Sequence, residues 1–157
     1  MKKTRMICLT AVFFSVVLVS QAFAFSWFKG NRKDLKPVDG ELSVALKEIN
    51  DGKAHYFHVK ADDGTTVRFF ALKSRDGVFR AAVDACDVCY RSGKGYEQKG
   101  DFMVCMNCGQ QFASSKINVL KGGCNPAPLT RRIQGDHLVI SMEEINRNSW
   151  YCQYKKL

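Results

Sequence analysis

The sequence predicts a mainly β fold: a small antiparallel β domain with a short N-terminal helix and a short C-terminal helix. Two observations support this. Asp-Gly turns separate three strand-like runs in the first half, and Gln134-Gly135-Asp136 separates two more near the C-terminus. Such turns between alternating runs are typical of β-hairpins. Between them lies a glycine-rich stretch, residues 86–124, that holds five of the seven cysteines.

The N-terminus is typical of a secretory signal peptide. Three cations are followed by an uncharged apolar run over residues 6–19 and by the small residues of Ala22-Phe23-Ala24. This order predicts a signal over residues 1–24 that is cleaved after Ala24. The apolar run is shorter than the roughly 20 residues of a spanning helix, which favours cleavage over a membrane anchor. We therefore expect a periplasmic protein, or an anchored one if the signal is retained.

Residues 25–40 are predicted to be a linker, and residues 41–157 a single domain. The chain has 157 residues and a net charge of +9. Such a charge is compatible with nucleic acid or anionic lipid as a partner. However, the cations are scattered apart from a cluster in the predicted linker, where a solvated segment is the simpler interpretation. Because the chain is predicted to be exported, we expect no nucleic-acid partner.

The first elements follow from spacing. Leu42, Ala45, Leu46 and Ile49 have the i, i+3, i+4, i+7 spacing of an amphipathic helix, which is predicted to end near Asn50. An antiparallel meander should follow. Its middle strand alternates apolar residues on both faces and is expected to be buried on both. The three predicted strands are 54–60, 66–73 and 78–84.

The second half predicts shorter elements. Strands are expected at 102–105 and 111–113, and the runs 129–133 and 137–140 should form a hairpin. Ser141 followed by Glu144 is the pattern of a capping box. It predicts a short terminal helix through Ile145.

The cysteines carry the strongest functional signal. Cys86 and Cys89 form one Cys-x-x-Cys pair, Cys105 and Cys108 form another, and fifteen residues lie between the pairs. A Cys-x-x-Cys turn points both sulfurs at one metal ion, and two such turns complete a tetrahedral four-sulfur site for zinc, iron or an iron–sulfur cluster. Gly109 follows the second turn directly and suits a tight turn, because glycine accepts positive φ. We therefore predict that these four cysteines are metal ligands.

Two other interpretations of the paired cysteines remain open. A structural zinc site would hold a β domain that binds another protein. A thiol–disulfide protein would instead work through Cys105 and Cys108, although no strand-then-helix pattern follows either pair. The predicted signal lacks a twin-arginine pair, so the chain would acquire its metal after export. That route favours a single ion over a preassembled cluster.

Cys124 is a candidate cofactor ligand with alternatives. It lies in Gly-Gly-Cys-Asn-Pro and is open to interpretation as a fifth ligand, a resolving thiol, a free thiol or the disulfide partner of Cys152. His55 and His58 fall on opposite faces of a strand, and His137 lies in a hairpin, so we expect structural or surface roles. The sequence shows no catalytic pattern and identifies no small-molecule substrate.

Three motifs resemble the FtrD-like membrane iron–sulfur domain family. They are DACDVCYRSGKGY from Asp84, GDFMVCMNCGQQF from Gly100 and GGCNPAPL from Gly122. The resemblance covers roughly residues 54–141. It implies a bacterial protein with iron or an iron–sulfur cluster, linked to ferrous iron uptake or to the accompanying electron transfer. It also implies a membrane iron-transport or electron-transfer partner, the paired cysteines as ligands and Cys124 as part of the same motif set.

The layout is also similar to that of Rieske domains, where two ligand loops on antiparallel β structure lie under a glycine- and proline-rich loop. Cys105–Gly109 takes the place of the second ligand loop, and Asn125–Leu129 that of the covering loop. Rieske loops each supply one cysteine and one histidine, whereas both loops here are all-cysteine. The resemblance thus implies a Rieske-like scaffold with a different metal centre. Thiolate in place of imidazole lowers any reduction potential.

Overall fold

The computed structural model describes residues 32–154. The predicted signal, residues 1–24, and the first part of the predicted linker lie outside the described residues. The described part of that linker contains a short strand, β1 (Lys33–Asp34), which pairs in parallel with a later strand. Over the described range the fold is mainly β, as predicted, and its strands form three small sheets.

The four-stranded sheet has the order β1-β3-β4-β5 and contains the predicted meander. Its other strands are β3 (His55–Lys60), β4 (Thr66–Lys73) and β5 (Phe79–Val83). The three pair antiparallel through turns at Gly64 and Gly77, both with positive φ. The burial of β4 on both faces is confirmed, because Phe69 and Phe70 are both fully buried.

A second sheet, of order β2-β10-β9, corrects the predicted N-terminal helix. β2 (Glu41–Ala45) pairs antiparallel with β10 (His137–Ser141), which forms the predicted hairpin with β9 (Arg132–Gln134). Leu42 and Val44 are buried and Ser43 is exposed, so the segment alternates with period two. Only Leu46–Glu48 is helical, as one 3₁₀ turn. The helical spacing was misleading because pairing with β10 overrides a weak local preference.

The third sheet carries the second cysteine pair. It has the order β6-β7-β8, with β6 (Tyr96–Lys99), β7 (Phe102–Cys105) and β8 (Gln111–Ala113). The two predicted strands, 102–105 and 111–113, are confirmed. Short 3₁₀ helices lie on either side of this sheet in the chain, at Tyr90–Ser92 and Ser114–Lys116.

The C-terminal helix is α1 (Met142–Arg147), and it is followed by a 3₁₀ turn at Ser149–Cys152. The predicted capping box is confirmed at its first half: the backbone N–H of Glu144 donates to the Ser141 hydroxyl at 3.2 Å. Such a bond satisfies one of the backbone donors that a helix leaves free at its N-terminus.

The four-stranded sheet separates two clusters of buried side chains. Odd-numbered residues of β4, including Phe69, face the main core. This core holds nineteen buried residues, some of which come from β2, β10 and α1. Phe70 and Leu72 point to the other face and join the cysteine-region core, which holds eight buried residues. Cys86 and Cys105 belong to this smaller core. The cysteines thus pack on one face of the sheet.

Candidate metal centre

The first cysteine turn follows directly from the end of β5. The backbone N–H of Tyr90 donates to the carbonyl of Cys86 at 3.1 Å, and the N–H of Cys89 donates to the Cys86 sulfur at 3.3 Å. The chain therefore reverses within one turn. Both bonds hold Cys86 and Cys89 on the same side of this turn.

The second turn closes in the same way at the end of β7. The backbone N–H of Gly109 donates to the carbonyl of Cys105 at 2.8 Å, the equivalent of the Tyr90 bond. Gly109 has a φ of +75°, as predicted for a tight turn. Burial raises the pKa of Cys105 to about 11, and the backbone N–H groups of Cys108 and Asn107, which face its sulfur, oppose this rise. Both turns thus direct backbone donors at sulfur, which suits a thiolate.

The two turns and one loop bring five sulfurs together. The sulfurs of Cys86, Cys89 and Cys124 lie within 4.8 Å of one another, and so do those of Cys89, Cys105 and Cys108. We call these the loop triad and the turn triad. Cys89 belongs to both. Among the described residues no four cysteines satisfy the same distance together, so the four predicted ligands are neighbours but not one compact tetrahedron.

Cys124 is placed by the loop that precedes β9. The backbone N–H of Val83 donates to the carbonyl of Ala127 at 2.8 Å, and the Ala127 N–H donates to the carbonyl of Ala85 at 2.9 Å. The Tyr96 hydroxyl donates to the carbonyl of Cys124. The predicted proline-rich segment therefore lies along the end of β5, beside Cys86.

Burial differs strongly among the five thiols. Cys86 and Cys105 are buried, Cys89 and Cys124 are half-buried, and Cys108 is exposed. Burial raises the pKa of Cys105 to about 11 and also raises the pKa of Cys124. The backbone N–H of Gln110 lowers the pKa of Cys108. The site therefore has a protected interior and one edge that opens to solvent.

Several residues that support the cysteines were not foreseen from the sequence. The Asn107 side chain donates to the sulfur of Cys89 at 3.4 Å and so joins the second turn to the first. Asp84 is fully buried at the start of the first turn and accepts from the backbone N–H of Tyr96 at 2.6 Å. Asn107 was detectable as an amide inside a Cys-x-x-Cys turn, whereas no local pattern marks Asp84 or Tyr96.

The remaining candidates lie elsewhere. Cys152 packs against the main core, and its sulfur accepts from the backbone N–H of Arg68 at 3.4 Å. No disulfide joins the six cysteines of residues 32–154, so the alternative of a Cys124–Cys152 disulfide is not realised. The histidines are absent from both triads. Each instead lies beside an aspartate, as in the 2.8 Å contact of His55 with Asp51.

The family model described as "Membrane iron-sulfur containing protein FtrD-like" matches residues 49–151. The match includes both cysteine turns, Cys124 and the covering loop. The chain belongs to this family. The recognition made from the three sequence motifs is therefore confirmed. Over the described residues, no helix of this FtrD-like protein has the length and apolar character needed to cross a membrane.

The other comparisons are more distant. No curated protein matches the chain. Among solved structures, the chain is similar to the quaternary ammonium Rieske monooxygenase CntA in complex with an inhibitor, with a TM-score of 0.43 and 16% sequence identity. The similarity covers 73% of this chain and 33% of the monooxygenase chain.

The donor set fits the iron–sulfur chemistry in the family description. Iron–sulfur clusters are held by cysteine thiolates, and both triads consist of cysteine alone. The backbone donors at Cys86 and Cys105 are of the kind that stabilises a thiolate. The same soft donors also accept zinc or copper. The cysteines are thus able to hold a metal, and their thiolate chemistry favours a thiophilic metal.

Proposed function

We propose that this FtrD-like protein binds iron or an iron–sulfur cluster through Cys86, Cys89, Cys105 and Cys108. The observation that carries the proposal is the turn triad, in which Cys89 of the first turn lies within 4.8 Å of both cysteines of the second turn; the loop triad joins Cys86 to Cys89 in the same way. The family description supports iron over other thiophilic metals.

The proposed role is iron uptake or the electron transfer that accompanies it, with a membrane iron-transport or electron-transfer protein as partner. The exposure of Cys108 supports this role, because electron transfer needs a redox centre close to the surface. Val88 and Met106, inside the two cysteine turns, are 65% and 44% exposed. Exposed apolar side chains beside a site are typical of a protein contact. The predicted signal supports a periplasmic location.

Anaerobic reconstitution with Fe(II), with and without sulfide, tests the metal. We expect one iron centre per chain with visible thiolate-to-iron absorption. Cys105→Ser should abolish the absorption, because it removes a buried ligand. Cys152→Ser is the matched control, since Cys152 packs against the main core and belongs to neither triad; it should retain the full absorption.

Two outcomes would count against iron. Protein that stays colourless with iron but takes up zinc, and unfolds without it, would favour the structural zinc alternative. Metal-free protein with a reversible dithiol–disulfide couple between Cys105 and Cys108 would favour the thiol–disulfide alternative.

A further inference from the structure

The fifth sulfur of the site sets a geometric problem. A single tetrahedral ion with metal–sulfur bonds of about 2.3 Å needs its four sulfurs about 3.8 Å apart in every pair. Here Cys86 groups with Cys89 and Cys124, whereas Cys105 and Cys108 group with Cys89. The sulfurs therefore form two triangles with one common corner, and the side chains of Cys108 and Cys124 also interact between the two triangles. One ion held by four thiolates would require these sulfurs to move closer together.

We propose that the site accepts two thiophilic metal ions, one in the loop triad and one in the turn triad, with the Cys89 thiolate bridging them. The inference rests on the proposed function only in that the cysteines bind metal. Each ion receives three thiolates from five cysteines, because Cys89 is shared. Cys124 is then a ligand, rather than a resolving or free thiol.

The surroundings of Cys89 agree with a shared sulfur. Cys89 is the first turn's outer cysteine, half-buried, and it lies between the buried Cys86 and the buried Cys105. The Asn107 amide donates to its sulfur at 3.4 Å from the opposite turn. A hydrogen bond to a thiolate withdraws charge from the sulfur. The contact also fixes the two turns relative to each other across the shared ligand.

The position of Cys124 is built into the fold. Ala127 fastens its loop to the end of β5, because it accepts from the N–H of Val83 and donates to the carbonyl of Ala85. The Tyr96 hydroxyl donates to the Cys124 carbonyl. Asn125 closes the loop: its side chain donates to the carbonyl of Gly122 at 2.9 Å. A loop whose cysteine has no ligand role does not need these hydrogen bonds, whereas a metal ligand must be held in position.

Titration with Cd(II) under anaerobic conditions tests the inference, because Cd(II) binds thiolates and reports its ligands by ¹¹³Cd NMR. Native mass spectrometry should find two ions per chain and NMR two resonances. Cys124→Ser should reduce the count to one ion, since four thiolates remain. Cys89→Ser should shift or remove both resonances. The control Cys152→Ser should bind two ions.

A single ion in the unsubstituted protein, or equal counts in that protein and Cys124→Ser, would overturn the inference. Circular dichroism checks that each variant folds. If Cys124→Ser does not, alkylation of the unsubstituted protein decides: the metal should protect Cys124 as fully as Cys89, and a reactive Cys124 in loaded protein contradicts the inference. Failure of iron binding in the reconstitution leaves this Cd(II) result unaffected, so the two proposals fail separately.

Discussion

The two faces of the four-stranded sheet support very different structures. On one face, nineteen buried residues from strands and helix form the main core. On the other, eight buried residues support three short strands and the cysteine loops, and two of these eight are cysteines themselves. Apolar burial is the dominant favourable term in folding, so the two faces differ in what stabilises them.

The comparison predicts where metal binding and folding would be coupled. The main core needs no metal to bury its side chains, because it consists of residues such as Phe69 and Leu138 at zero exposure. In the cysteine region, turns and loops bring together sulfurs that a metal ion would bind in common. The energy of metal binding would therefore stabilise the folded state of that region alone. The four predictions below test this division, from the largest effect to the smallest.

Metal removal should have the largest effect, and it should be local. A structural metal–thiolate site contributes on the order of 10 kcal/mol. Stripping the metal anaerobically should therefore abolish hydrogen-exchange protection in β6, β7 and β8. Amides of β3, β4 and β5 should keep theirs, because the main core holds them. Exchange followed by NMR measures both regions in one sample.

Restoring the metal is the control, and protection of β6–β8 should return. Equal loss of protection in both regions would show that the main core also depends on the metal. Unchanged protection in β6–β8 would show that the cysteine-region core folds without metal. It would contradict the predicted coupling between metal binding and folding.

Phe69→Ala should destabilise the main core by about 3–5 kcal/mol, as is typical when a buried phenylalanine is truncated. Phe69 is fully buried and stacks on Phe57 with ring centroids 5.3 Å apart. Urea unfolding of the metal-free protein measures the loss. The matched control is Phe102→Ala on β7, where the ring is 44% exposed; it should cost less than about 1 kcal/mol. Similar losses for both would contradict the difference in burial between the two rings.

Ser141→Ala should cost about 1 kcal/mol, because it removes the side-chain cap of α1. α1 packs on the main core through Ile145, so the loss should be the same with and without metal. Ser43→Ala provides the control, since Ser43 is exposed on β2. Thermal unfolding of the unsubstituted protein and of both variants, each with and without metal, gives the values. A loss that appears only in the metal-free protein would connect α1 to the metal centre.

Thiol reactivity should separate the outer from the inner cysteines without changing stability. In reduced, metal-free protein at pH 8, Cys108 should react with iodoacetamide first, because it is exposed. Cys152 should react last, because it packs against the main core, which keeps its fold without metal, and because burial raises its pKa. Peptide mapping by mass spectrometry gives the order. The reverse order would contradict the division between the main core and the cysteine region.

Strong local patterns predicted much of the fold. The meander was evident from Asp-Gly turns, and the start of α1 from Ser141 and Glu144. The prediction of an N-terminal helix was wrong because Leu42 fits both a helical and an alternating pattern. Only pairing with β10 decides between the two patterns. A single segment does not contain that information.

The candidate site was predictable in its cysteines but not in their grouping. Spacing identified the two turns, and the structure brings them together with Cys124. That Cys89 is common to both triads depends on how β5, β7 and the covering loop meet, which is a tertiary property. Tyr96 was missed for the same reason, because it acts on a cysteine distant in the chain. Asn107 differs, since an amide inside the second Cys-x-x-Cys turn was a local signal for its contact with Cys89.

Metal and acid-labile sulfide analysis of protein isolated anaerobically from its own compartment tests the central claim most directly. We predict iron, visible absorption from thiolate ligation and loss of both in a variant that lacks Cys105. A colourless protein that carries one zinc ion per chain and no iron would contradict the assignment of an iron centre to these cysteines.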